Sequence, residues 1–519
     1  MKINQKNTTI LLGIILAVGF FLRLFELGAE SLWLDEGVTV YYARLSLADI
    51  FSRFSSEEFN PPLYYSLIHL WIRIAGDSEF AVRLPSVLFG VLSIFMIYKT
   101  AREMAGREVG LLAALILALN RFHVHFSQEA RIYALLVFLT LLSFYYFIRL
   151  TKEFQRRYVF GYLVAGFFLM HTHVYALFII LTQNLYFILK WFQTAGIQQI
   201  NLKRWLALQL GLLILFLPWL TVLVKQFLRV QKGFWIDKPP IYLIPGAFVR
   251  FAGWYNVLSG IFAVLLFLLA CAAILKWQKR KVSWRRTHAD WNGLLVIWVA
   301  TSILIPFVLS HIFSPIFHIK YTIAASLAYY ILIAKGIMLW RSQYLKRAVV
   351  GIIIVVSLAN MYLYYASLKK ESWRETAQYV ESAARKNDLV LFVAGYCLDG
   401  AYEYYAEDTN LVKKTFPQNV RNVDDTNIAE LEPLIENHQR IWLILSHNDI
   451  HDPENLTFKT LNERLQLTKQ NIFRGKQKYL LPTLNVKIQS YFQKELLFKI
   501  EVYLFEKKAN HRTTTLRSE

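Results

Sequence analysis

Apolar runs of membrane-crossing length alternate with short charged stretches along the first 366 residues, and the alternation then stops. Runs such as Thr9–Leu27, Val109–Leu119, Leu206–Val224 and Ile261–Leu275 are long or nearly long enough for a hydrocarbon core that takes roughly 20 helical residues. The pattern predicts a first span from Thr9 and further spans near 83–101, 109–122, 132–149, 158–172, 174–192, 205–224, 256–275, 292–310, 321–339 and 348–366. The total is about eleven. Pro62–Gly76 is apolar but short and carries His69 and Arg73, so it is expected to lie in the interface as a helix rather than to cross.

Beyond residue 366 the pattern changes to short β-like runs, Leu389–Ala394, Arg440–Leu445 and Lys499–Phe505, separated by helix-like stretches such as Trp373–Arg385. The expected fold class is therefore an all-α polytopic membrane domain over 1–366, including an external loop at 28–82, followed by a small external soluble α/β domain over 367–519. Neither an internal repeat nor a low-complexity linker is visible.

Composition agrees with a lipid environment: 56% of the 519 residues are hydrophobic, above the 45 to 50% usual for soluble domains. The formal net charge of +21 would suit nucleic acid only if it gathered on one soluble face. Instead it gathers between spans, at Arg149, Lys152, Arg156 and Arg157 and again at Lys276, Lys279, Arg280, Lys281, Arg285 and Arg286. That is the positive-inside signature, and no nucleic-acid partner is expected. With Lys2 and Lys6 cytoplasmic, the acidic loop holding Glu30, Asp35, Glu36, Asp49, Glu57 and Glu58 falls outside, and an odd span count puts the C-terminal domain outside too. The expected location is a bacterial plasma membrane, crossed many times. Cys271 and Cys397 supply neither a disulfide framework nor metal-ligand spacing.

Candidate chemistry lies at the outer ends of spans. In "SLWLDEGVTVYYARLS", residues 31–46, Asp35 and Glu36 follow the first span, and a partly desolvated aspartate there suits a general base; the alternative is a helix N-terminus, where acids favour the dipole. In "HVHFSQEARIYALL", residues 123–136, Arg131 suits a phosphate and Glu129 suits the arginine or a metal, the alternative being a Glu–Arg pair capping a helix. His123 and His125 are better read as structural. "HTHVYAL" places His171 and His173 at an outer helix junction, and "SPIFHIKY" places His318 and Lys320 at another. Lys320 suits a lipid phosphate or simple snorkelling. The recurrence of polar groups at these ends suggests one shared external cleft.

The ordered set "SLWLDEGVTVYYA", "NPPLYYSLIHLWIRIAGDSEFAVRLPSVLFGVL", "SQEARIYALL" and "SPIFHIKY" resembles the GT-C glycosyltransferases related to protein O-mannosyltransferases and lipid A aminoarabinose transferases, over about residues 9–340. The start of the tail, "SWRETAQYVESAARKNDLVLFVAGY", is also similar to bacterial members. The resemblance implies an inverting sugar transfer from a polyprenyl-phosphate donor to a lipid, glycan or protein acceptor, with Asp35 as the base and Glu36 in the second acidic place. It further implies that Glu129, Arg131, Arg83, Lys320, His173 and the residue before the double proline lie near the donor. That last residue is Asn60, where many relatives carry His or Lys, and an amide brings no positive charge. No cofactor is implied with certainty, and these residues neither require nor exclude a divalent metal. A lipid or amphiphile flippase is the rival reading, but transporters place ionisable groups and broken helices near the bilayer midplane, whereas here the polar groups lie at span ends.

Overall fold

The computed structural model describes residues 4–54, 58–194, 199–231, 236–253, 257–280, 291–366, 370–407, 410–418, 422–474 and 499–508. Of the charges named above, Lys2, Glu57, Lys281, Arg285 and Arg286 lie outside the described residues. Internal contacts divide the chain into two units. The first holds the described residues of Met1–Ala29 and Tyr42–Ser367; the second holds those of Glu30–Tyr41, Leu368–Gln477 and Ser490–Glu519.

The first unit is helical. Among the described residues, nine helices are long and apolar enough to cross a membrane, from Gln5–Leu24 and Glu79–Ala105 to Gln343–Tyr365. The two remaining expected spans differ for local reasons. Arg107–Leu119 and Arg121–Ser127 form a pair bent by 63°. The break is at Asn120, whose backbone is extended and whose side chain accepts from the His123 amide, capping the second helix at the cost of continuing the first. Arg156–Met170 is helical but only 15 residues long. Leu63–Ala75, at 13 residues, is too short to cross.

Residue character sets where each helix goes. Leu206, Leu210, Leu213 and Leu217 recur every three or four positions along Leu202–Gln231 and are all exposed, an apolar stripe suited to lipid. Ile323–Met338 is the opposite case, with small and apolar side chains buried on every side. Gly106 closes Glu79–Ala105 with φ 93°, a conformation that L side chains rarely adopt, and so lets the next helix start at once.

The second unit is built on a five-stranded sheet with strand order β2-β1-β3-β5-β4. The strands are β1 (Leu389–Phe392), β2 (Val412–Thr415), β3 (Arg440–Leu445), β4 (Gln466–Arg474) and β5 (Lys499–Glu506). β1 pairs in parallel with β2 and β3, while β5 runs antiparallel to β3 and β4. Alternate residues feed two cores. Val390, Phe392, Trp442, Ile444, Val502 and Leu504 meet Trp373, Ala377 and Val380 of the helix Trp373–Ala383. Leu389, Leu391, Ile441, Leu443 and Phe505 meet Leu431, Ile435 and Leu461 on the other face.

Leu34 belongs to the first of these cores, with Trp33 and Val38 against it. For that reason residues 30–41, expected within the membrane part, group with the sheet. Contact there is close enough to exclude any side chain at one position. A Cβ added to Gly37 would lie 1.6 Å from the carbonyl oxygen of Gly400, a backbone atom that cannot turn aside. Gly37→Ala is therefore expected to destabilise the second unit by about 1–3 kcal/mol or more, whereas Gly351→Ala, in a helix with nothing within 4 Å of the new Cβ, should be neutral or slightly stabilising. Thermal melting of both variants in detergent checks the contrast.

Candidate active site

The candidate residues fall into two constellations, one in each unit. In the second unit, Asp35 and Glu36 occupy the first turn of the helix Leu34–Arg44, where the dipole favours negative charge. Their environments differ. Asp35 is half-buried, while Glu36 is fully buried and ion-paired, its Oε2 2.8 Å from Lys370 Nζ. The adjacent Glu371 accepts from the Leu34 amide at 2.9 Å and from Trp373 Nε1 at 2.5 Å. Its Oε1 lies 2.8 Å from Nε2 of His447. The Ser31 hydroxyl donates to the Glu371 carbonyl, and the Leu32 amide donates to the Tyr405 hydroxyl at 2.6 Å. Burial pushes the Glu371 carboxyl above its ordinary value, His447 and the two N–H donors pull it down, and Asp35 pushes it up further.

In the first unit the bend at Asn120 sets the site. It leads through the helix Arg121–Ser127 into the turn carrying Gln128, Glu129 and Arg131. Gln128 is locked by bonds from its amide to the Arg23 and Phe25 carbonyls and by the Tyr364 hydroxyl. Glu129 pairs with His125, Oε1 to Nε2 at 3.0 Å, so its carboxylate does not serve as the partner of Arg131. Of the alternatives for Glu129, the structure has an i,i+4 pair with His125 at the end of the helix Arg121–Ser127. Arg131 instead reaches Tyr65 with Nη1 at 3.3 Å, and the Tyr65 hydroxyl donates to Glu58 at 2.9 Å.

His173 is the centre of this constellation. It is buried, its Nδ1 accepts from the Tyr175 amide at 3.0 Å, and its ring lies 4.9 Å from that of Tyr321, over which Lys320 also sits. Burial first, and then the charges of Arg131 and Lys320, hold His173 down to about 3. The ring is therefore neutral at physiological pH, and acceptance at Nδ1 leaves the proton on Nε2. That Nε2–H is buried with no hydrogen-bond partner among the described residues. The charges of Arg131 and Lys320 both act on His173, which offers a neutral N–H donor, an arrangement that suits a phosphate oxygen.

Other candidates have different surroundings. Arg83 is buried and donates to the Leu27 carbonyl at 2.8 Å. Asn60 is half-buried ahead of Pro61 and Pro62. His123 bonds Ser326 at 2.7 Å and His171 its own helix at Phe167, in line with structural roles. Among the described residues no group of three or more His, Cys, Asp or Glu side chains is arranged to hold a metal ion. Lys370, Glu371 and His447 had no distinguishing sequence signal beyond the charged "KKE" ahead of Trp373.

The helical unit with its α/β companion has known counterparts. ArnT of Cupriavidus metallidurans, solved bound to undecaprenyl phosphate, aligns over 96% of this chain and 98% of its own with a TM-score of 0.56 at 13% identity. The oligosaccharyltransferase of Archaeoglobus fulgidus aligns over 86% of this chain and 70% of its own, with a TM-score of 0.53 at 12% identity. The chain shares its fold with these solved proteins. Residues 60–221 match the family model described as dolichyl-phosphate-mannose-protein mannosyltransferase. YycA of Bacillus subtilis strain 168, named as a candidate mannosyltransferase, is 29% identical over 164 residues, 30% of this chain. That match spans only 23% of YycA.

The Glu36–Lys370 pair gives a direct structural test. Removing one partner leaves a buried charge unanswered, so Lys370→Ala should cost about 3–5 kcal/mol. Adding Glu36→Ala to that variant should cost less than the sum of the two single losses, as a double-mutant cycle by denaturant unfolding will measure.

Proposed function

We propose that this GT-C protein transfers a sugar from a polyprenyl-phosphate carrier to an acceptor hydroxyl, with inversion, on the non-cytoplasmic face of a bacterial plasma membrane. The grouping of Arg131, Lys320 and the His173 N–H carries the reading. It supplies positive charge and a donor where a lipid phosphate must be recognised and where negative charge grows as the carrier leaves. Support comes also from the solved proteins of this fold: ArnT is described as bound to undecaprenyl phosphate, and the Archaeoglobus oligosaccharyltransferase AglB as in complex with an inhibitory peptide and a dolichol phosphate.

In this reaction Asp35 accepts the proton of the acceptor hydroxyl as its oxygen attacks the anomeric carbon. The bond from that carbon to the phosphate oxygen breaks, and polyprenyl phosphate departs with the electron pair. Glu36 acts through the helix turn it shares with Asp35, its own charge answered by Lys370. The chain works as a membrane part to residue 366 and a soluble part over 367–519, both offering residues on the outer side. Arg83 and Asn60 are assigned to the approach of the donor, and a lipid, glycan or protein supplies the hydroxyl.

Incubating the purified protein with a panel of radiolabelled undecaprenyl-phosphate sugars and a membrane extract tests the activity and shows which fraction becomes labelled. Asp35→Asn should lower turnover by about 10²–10⁴ while donor binding is kept; turnover near the wild-type rate would remove Asp35 as the base. Arg131→Ala and Lys320→Ala should each weaken donor binding by about 10–100-fold, the loss expected for a hydrogen bond to a charged group. Equilibrium binding of the labelled donor measures this, and unchanged affinity in both would place the phosphate elsewhere.

A further inference from the structure

The α/β unit contains a buried carboxylate that the reaction above does not use, and its contacts converge on the acidic motif. We infer that Glu371 is a positioning residue for the transfer: with His447 2.8 Å from its other carboxylate oxygen, it fixes the backbone that carries Asp35. The inference rests on the assignment of Asp35 as the base.

Four contacts carry it. Glu371 accepts the amide of Leu34, the residue directly before Asp35, at 2.9 Å, and its own carbonyl accepts the Ser31 hydroxyl. Both ends of the stretch leading into the helix are thus tied to one residue. Lys370, its chain neighbour, holds Glu36 at 2.8 Å, so two consecutive residues of the tail bind two sides of the consecutive acids. On the far side His447 meets Glu371 at 2.8 Å from a left-handed backbone, φ 56°, immediately after β3. A non-glycine residue held in that region marks a place where the surroundings over-determine the chain.

The position in the sheet agrees. β1 and β3 are parallel neighbours, and β2 and β5 lie on their opposite flanks, so the connections from their carboxyl ends diverge. Open sheets of this kind seat ligands outside that edge. His447 follows β3 there, and the segment after β1 carries Gly400 against Gly37. The acidic motif is what occupies the edge.

The groups facing Glu371 are Asp35 and the helix start of Leu34, His447, Trp373 Nε1 and the buried thiol of Cys397. Lys370 beside it is engaged by Glu36. The net result is a carboxyl raised above its ordinary 4.5. A carboxyl raised on folding binds its proton more tightly folded than unfolded. Its contribution to stability is therefore greatest below 4.5 and falls as pH climbs through the raised value.

The test compares wild type, Asp35→Asn and Glu371→Gln with the same panel of radiolabelled undecaprenyl-phosphate sugars and membrane extract. Glu371→Gln should melt at or above the wild-type temperature at pH 7, keep its donor KM, and lose about 10–100-fold in kcat, the scale of a displaced reacting group. Glu371→Asp, one methylene shorter, should draw the carboxylate away from the Leu34 amide and lose kcat as well. A Glu371→Gln enzyme with wild-type kcat overturns the inference, and so does one that melts well below wild type, since Glu371 would then serve folding alone. Those failures stand apart from failure of the underlying reading, which would appear as an active Asp35→Asn or as a wild type that transfers no sugar of the panel.

Discussion

A carboxylate with no exposed surface must be answered by a charge or by several donors, and the ion pair between Glu36 and Lys370 is the answer on which the second unit depends. Its partners are 334 residues apart in sequence. Once Glu36 is buried at the start of the helix Leu34–Arg44, the lysine has to come to it, and the tail that follows Lys370 is fixed at that point. Glu371 then falls on the Leu34 amide and Trp373 enters the core with Leu34. The segment between Ser31 and Val38 and the sheet of the tail form one folded body for this reason.

The same rule of answered charge organises the helical unit. Arg23 is completely buried near the end of the first helix, yet each nitrogen of its guanidinium finds oxygen: the carbonyls of Gly19, Ala118 and Leu117 and the hydroxyl of Ser127. Through these bonds the first helix grips both sides of the break at Asn120. Gln128 continues the grip on the Arg23 and Phe25 carbonyls. The turn that carries Arg131 is therefore tied to the first helix on several sides, so that its order is set before anything binds.

The two constellations differ in charge. In the helical unit Arg131, Lys320 and the neutral His173 sit in an aromatic setting of Tyr133, Tyr175 and Tyr321. In the α/β unit Glu36 is neutralised by a lysine while Asp35 stays half-buried. Adjacent acids in one helical turn thereby meet different environments.

Hydrophobic periodicity carried the helices, because a lipid-facing or fully buried helix needs an apolar run whatever its neighbours are. The inner strands β1 and β3, buried on both faces, were legible as "LVLF" and "RIWLIL" for the same reason, whereas the edge strands "VKKT" and "QLTKQNIFR" are polar and gave no signal. Asp35, Arg131, His173 and Lys320 could be singled out since polar groups at the ends of apolar runs are costly. Tertiary structure alone decided their partners: that Glu129 answers His125 rather than Arg131, that His173 is held neutral, and that the acidic motif belongs with the sheet. Ion pairing and hydrogen bonding act over a few ångströms in space, and residues as far apart as Glu36 and Lys370 acquire that proximity only when the chain has folded.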